Sequence, residues 1–109
     1  MAVEERKGVQ VWIILLQDID FQRGFDLGVQ AAARVGGIFN GLVTFSLAST
    51  PPHPMRDREA LSIFVDSSKV GEAVAQIVNG LGLSKDGYLV QATPSSQFVP
   101  KQRPNQTAA

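Results

Sequence analysis

The stretch Val9–Leu16 (VQVWIILL) constrains the fold more than any other part of the chain. It is rich in β-branched and aromatic residues and is apolar on both faces. A segment of that kind reads as a central strand, covered on each side or packed at an interface. Asp18 and Asp20 then stop the strand, and either can cap a following helix by accepting its unpaired backbone N–H groups. The spacing predicts that helix over Phe21–Val35. Phe21, Phe25, Val29 and Ala32 form one apolar stripe, with Arg23, Asp26, Gln30 and Arg34 opposite. Gly36-Gly37 supplies a left-handed stop.

Leu42–Ala48 alternates, with Val43, Phe45 and Leu47 on one side and Thr44 and Ser46 on the other, as a half-buried strand does. Asn40-Gly41 is a two-residue turn signal, which would let Ile38-Phe39 fold back as a short hairpin arm. Pro51, Pro52 and Pro54 make Ser49–Glu59 a loop, and Ala60–Val65 is the next strand. Ser67 or Ser68 is expected to cap a second helix. That helix carries Val70, Ala73, Val74, Ile77, Val78 and Leu81 at three- and four-residue spacing, and Gly80 and Gly82 end it. Tyr88–Ala92 is the last strand.

This order is βαββαβ, so the expected fold class is α+β and ferredoxin-like: a four-stranded antiparallel sheet with two helices on one face. Residues 9–93 form the domain, residues 1–8 an N-terminal arm and residues 94–109 a flexible tail. The second sheet face would carry residues drawn from Trp12, Ile14, Leu16, Leu42 and Leu89. An apolar face of that kind is hard to leave in water, so a homo-oligomer is expected.

Composition narrows the chemistry. Lys+Arg and Asp+Glu each number 10, a formal charge of +0, whereas a protein gripping nucleic acid usually carries a basic excess. With no cysteine, disulfides, thiolate catalysis and Cys-based metal sites drop out. The apolar run Val11–Leu16 is too short to span a bilayer, and no signal-peptide pattern follows Met1–Gly8, so a cytoplasmic location is expected without membrane attachment.

His53, the one histidine, has no second His or Cys to make a zinc site. A Ser–His–acid triad would need it rigidly oriented within a proline-rich loop. Asp18/Asp20 reads as a strand exit and cap. Asp57/Glu59 alternates with Arg56 and Arg58, cations that keep carboxylates ionised and suit neither proton donor nor base. The run Gly80–Gly87 has no Gly-Lys-Ser/Thr at P-loop spacing and follows a helix C-terminus, where the dipole repels phosphate. Lys85 in that turn is a possible anion contact if a neighbouring subunit completes the site. No catalytic residues, metal or cofactor are expected. The remaining candidate is the loop Ser49–Glu59. Its His53, Arg56 and Arg58, clustered by a ring of subunits, would attract a small anionic ligand or metabolite.

Ala60-Leu61-Ser62-Ile63-Phe64, then Val70, Glu72-Ala73, Gln76, Val78, Gly80-Leu81-Gly82 and Tyr88, resemble the second half of bacterial microcompartment (BMC-domain) shell proteins. Gln30-Ala31-Ala32-Ala33-Arg34-Val35 resembles the end of that family's first helix. The likeness implies a structural shell tile, a hexamer, with residues 49–59 shaping a pore in place of that family's short Gly/Ser turn. The chain is also similar in plan to PII-like signalling proteins, trimers with a long partner-contacting loop between the second and third strands. Their Gly–Asp–Gly turn is echoed by Gly82 and Asp86-Gly87. That likeness implies a trimeric regulator sensing a small ligand through the same loop, although the usual loop signature is absent.

Overall fold

β1 (Val3–Leu15) runs through the middle of the sheet. The structure, a computed structural model, describes residues 3–47 and 56–100, except for the side chains of residues 45–47, 56–57 and 99–100. After β1 come α1 (Phe21–Val35), β2 (Ile38–Leu47), β3 (Arg56–Val65), a 3-10 turn (Ser67–Lys69), α2 (Val70–Leu81) and β4 (Tyr88–Pro100). The four strands lie in the order β2-β3-β1-β4, and every neighbouring pair is antiparallel. This is the ferredoxin-like α+β arrangement. β1 and β3 are central, which accounts for the largely apolar character of Val9–Leu15 and Ala60–Val65 within them.

α1 lies over β2 and β3, and α2 packs beside α1 and over β1. Val11, Ile13 and Leu15 of β1 and Leu61, Ile63 and Val65 of β3 meet Ala31, Ala32, Ala73 and Ile77 in the core. The stripe expected on α2 is the one that packs, with Ala73, Ile77 and Val78 buried. Left-handed Gly36 and Gly82 close the two helices.

On α1 the expected stripe holds only at Ala32. Its buried residues are Gly24, Gly28, Ala31 and Ala32, while Phe21, Phe25 and Val29 are exposed. The helix sits so close to the sheet that bulky residues do not fit beneath it. A β-carbon on Gly28 would collide with the ring of Phe39, and one on Gly24 would stand 3.0 Å from Ile19. Leu27 likewise seats α1 against α2, 2.6 Å from where a Gly80 β-carbon would be.

The ends of the strands differ most from the sequence-based reading. Residues 3–8, expected as an arm, continue β1, and residues 94–100, expected as tail, continue β4. The two pair in unbroken register from Val3↔Pro100 to Leu15↔Tyr88. Residues 101–109 lie outside the described residues. β3 starts at Arg56, so Arg56 and Arg58 sit on a strand opposite Leu47 and Phe45 and not in a loop. The sheet therefore extends as a two-stranded ribbon at each end, β1–β4 past one and β2–β3 past the other.

Ile38-Phe39 does not form a separate hairpin, because β2 is continuous. Asn40-Gly41 is a β-bulge, with the register stepping from Phe39↔Ile63 to Gly41↔Ser62 and Gly41 at φ 90°. A bulge and a two-residue turn make the same demand on a glycine, left-handed backbone, so the dipeptide alone does not distinguish them. Asp20 caps α1, its carboxylate accepting from the N–H groups of Gln22 and Arg23. Neither Ser67 nor Ser68 caps α2: the helix starts after Lys69 with no side-chain cap, and Asp66 caps the 3-10 turn before it by accepting from Ser68 N.

Among the described residues no helix covers the second sheet face. Trp12, Ile14 and Leu89 do lie there, but Leu42 pairs with Leu61 and joins the core side, and Leu16 falls beyond the strand. Ile14, Ala60 and Phe64 are nonetheless buried on this face. A polar belt crosses it. Gln10 Nε2 donates to Ser62 Oγ over 2.5 Å, and Gln10 Oε1 accepts from Asn40 Nδ2 over 3.1 Å and Gln97 Nε2 over 3.4 Å. One amide thus ties all four strands together.

Candidate functional site

An open cleft lies at the root of the β2–β3 ribbon, where β1 ends and α1 begins. Leu15, Gln17, Asp18, Phe21, Arg58 and Glu59 line it around about 400 Å³ of space that includes its open mouth. Each lining residue has a local reason to be there. Leu15 is the last residue of β1, Asp18 belongs to the polar strand exit, and Phe21 opens α1 immediately after the Asp20 cap. Arg58 and Glu59 are neighbours on β3, beyond the point at which β1 stops pairing with it (Ile14↔Ala60).

Gln17 holds the cleft to the turn before β4. Its Oε1 accepts from Ser84 Oγ at 3.0 Å and from Ser84 N at 3.3 Å. Leu16 N donates to Gly87 O at 2.9 Å in the same place. The turn is therefore fixed beside the cleft although it lies far along the chain.

The candidates named from sequence separate at this point. Arg58 lines the cleft. Arg56 is two residues further out on β3, and its side chain is outside the described set. His53 lies outside the described residues. Lys85 is exposed on the turn that Gln17 anchors. Gln17 and Phe21 were missed. Phe21 looked like a core residue at helical spacing, and the role of Gln17 depends on a partner 67 residues away, which no local pattern announces.

Chemically the cleft offers one guanidinium, two carboxylates, one amide already engaged by Ser84, and an aromatic wall. Among the described residues no group of three or more His, Asp or Glu side chains is placed to hold a metal ion. None of their helices is long and apolar enough to cross a membrane.

A second, smaller hollow of about 220 Å³ lies at the other end of the sheet, between Arg6, Lys7, Gly36–Ile38 and Phe64–Asp66. Arg6 Nη1 donates to Gly36 O at 3.0 Å and so binds the β1–β4 ribbon to the end of α1. Nearby, the hydrogen bond from the Ser68 hydroxyl, followed by that from its N–H, holds the Asp66 carboxyl below the usual carboxylate range. Both features serve the local fold.

No family model matches the chain. No curated protein matches it either. Among solved structures it is similar to the apo form of CPII from Thiomonas intermedia K12, a nitrogen regulatory PII-like protein. The identity is 15% and the TM-score 0.47, over 91% of this chain and 100% of that chain. So low an identity carries neither ligand nor partner across. Nothing in these comparisons supports the expected likeness to shell proteins.

Proposed function

We propose that this chain is the subunit of a trimeric, PII-like regulatory protein that binds a small anionic ligand in the cleft at the base of its β2–β3 ribbon. The observation that supports this reading is the cleft itself. A rigid sheet end brings Arg58 and the ring of Phe21 to one opening. The guanidinium suits an anionic group such as phosphate or carboxylate, provided the ligand holds that group on Arg58 and turns neutral or donor groups to the Asp18 and Glu59 carboxylates, and the ring suits a flat, weakly polar body. No base, nucleophile or metal is required, in keeping with a binding role. A trimer assembled through the second sheet face belongs to this reading; neither a hexamer nor a shell tile gains support.

The test is a thermal-shift screen of the full chain against adenine nucleotides, followed by calorimetric titration of any responder. At least one nucleotide should raise the transition of the wild type, because a ligand bound only to the native state stabilises it. Arg58→Ala should lose that response while keeping the unliganded transition. A wild type indifferent to the whole panel would overturn nucleotide sensing.

A further inference from the structure

The strand that carries two of the cleft's charges also keeps them apart. Successive residues of a strand point to opposite faces, and the register of β3 against β2 is unbroken from Arg56 to Leu61. Arg58 therefore shares the uncovered sheet face with Ala60, whereas Glu59 shares the helix face with the core residue Leu61. Phe21, at the start of α1, stands on that same helix side. Both neighbours still reach one cleft, because β1 stops pairing with β3 at Ala60 and leaves the edge beyond it open. The cleft wraps around that edge, with a guanidinium from one side and a carboxylate from the other.

Asp18 adds a second carboxylate from the strand exit. Among the described residues Arg58 forms no ion pair with Glu59 or with Asp18. The three charges thus converge without satisfying one another, and the carboxylates outnumber the guanidinium. A ligand with negative charge alone gains Arg58 but meets two like charges. A ligand carrying both signs has a counter-charge for every group. Its cationic end also lies near the ring of Phe21, which is 44% exposed.

We infer that the ligand of this cleft is a small zwitterion, a free amino acid. Its carboxylate lies on Arg58, its ammonium on Glu59 and Asp18, and its carbon skeleton against Leu15 and Phe21. The apolar wall formed by those two residues favours an apolar skeleton over a further charge. The inference rests on the cleft being the ligand site, as proposed above, and names the class of molecule that it takes.

The test is a thermal-shift screen of the full chain against apolar L-α-amino acids, β-alanine and γ-aminobutyrate, with calorimetry on each responder. The two series separate adjacent from spaced charges, and a responder in either supports the inference. Its deaminated acid and its decarboxylated amine should each bind about tenfold more weakly or worse, the worth of one charge-assisted hydrogen bond. Arg58→Gln should bind the responder and its amine alike, and Glu59→Gln should narrow the gap between the responder and its acid. Circular dichroism and the unliganded transition check that both variants remain folded. Equal binding of the deaminated acid by the wild type, or undiminished binding of the amino acid by Arg58→Gln, would overturn the zwitterion. A nucleotide responder without an amino-acid responder would overturn this inference alone. Silence in both panels would remove the cleft as a ligand site as well.

Discussion

The ring of Phe39 rests on the backbone of Gly28 where α1 crosses β2, with no room between them for a β-carbon. On propensity alone, Gly28→Ala would stabilise the helix by about 1 kcal/mol. Overpacking a filled contact costs about 1–3 kcal/mol, and here it also disturbs the Phe25–Phe39 ring pair. Gly28→Ala should therefore lower the urea midpoint at unchanged m-value. Pairing it with Phe39→Leu should cost less than the sum of the two single changes.

Gln10 carries the polar belt, so its removal should cost more than its own contacts suggest. Gln10→Leu leaves the buried Ser62 hydroxyl without the amide that donates to it. A stranded buried polar group costs about 1–3 kcal/mol. Adding Ser62→Ala should recover part of that loss, and a double-mutant cycle in urea would measure the coupling.

Arg23 braces the end of α2. Its Nε and Nη2 both donate to Gly80 O, at 3.1 and 3.0 Å, adding positive charge at a helix C-terminus. Arg23→Ala should destabilise the protein by about 1 kcal/mol, on the scale of an ordinary net hydrogen bond. Arg23→Lys should recover only part of this, since one ammonium cannot reproduce the two-pronged contact. The difference between wild type and Arg23→Ala should narrow in high salt.

Asp66 gives a pH signature of known sign. Its folded-state pKa is lowered from 3.8, first by the Ser68 side-chain hydrogen bond and then by the backbone one. The native state thus binds the proton less readily than the unfolded chain does. The stabilisation is fully present above the unfolded-state value and is lost as pH falls through the lower folded-state value. Asp66→Ala should be less stable than wild type at neutral pH, and the gap should close in acid below pH 3.8. Ser68→Ala should weaken the dependence. Denaturant titrations across pH would check both.

The topology was legible because burial leaves a periodic trace. α2 and the centres of β1 and β3 carry their environment in their spacing. The ribbon of residues 3–8 with 94–100 carries no such trace. Glu4, Glu5, Arg6 and Lys7 face Val99, Phe98, Gln97 and Ser96 in a ladder that no helix covers among the described residues. Polarity therefore does not alternate, and only the pairing itself defines the strands. Pro94 looked like a strand breaker, but β4 is an outer strand, where proline is tolerated.

α1 misled for a different reason. Phe21, Phe25 and Val29 outweigh glycine and alanine on any hydrophobicity scale, yet the small residues are the ones that let helix and sheet approach. Of the candidate site, Arg58 was visible as a charged residue near a proline-rich segment. Its company in the cleft was not, because Gln17, Phe21 and Arg58 converge only once the sheet has formed.

The extra residue in β2 has an evolutionary consequence. Asn40 and Gly41 together oppose Ser62, so Phe39 and Leu42 both turn toward the helices although three positions apart. A shortened chain lacking Asn40 would fall into plain alternation with the same partners on either side, forfeiting one amide contact to Gln10. Loss of any residue from Leu42 onward would instead turn part of the strand inside out. Length variation in this strand is thus affordable at one position, and homologues one residue shorter should carry their gap there.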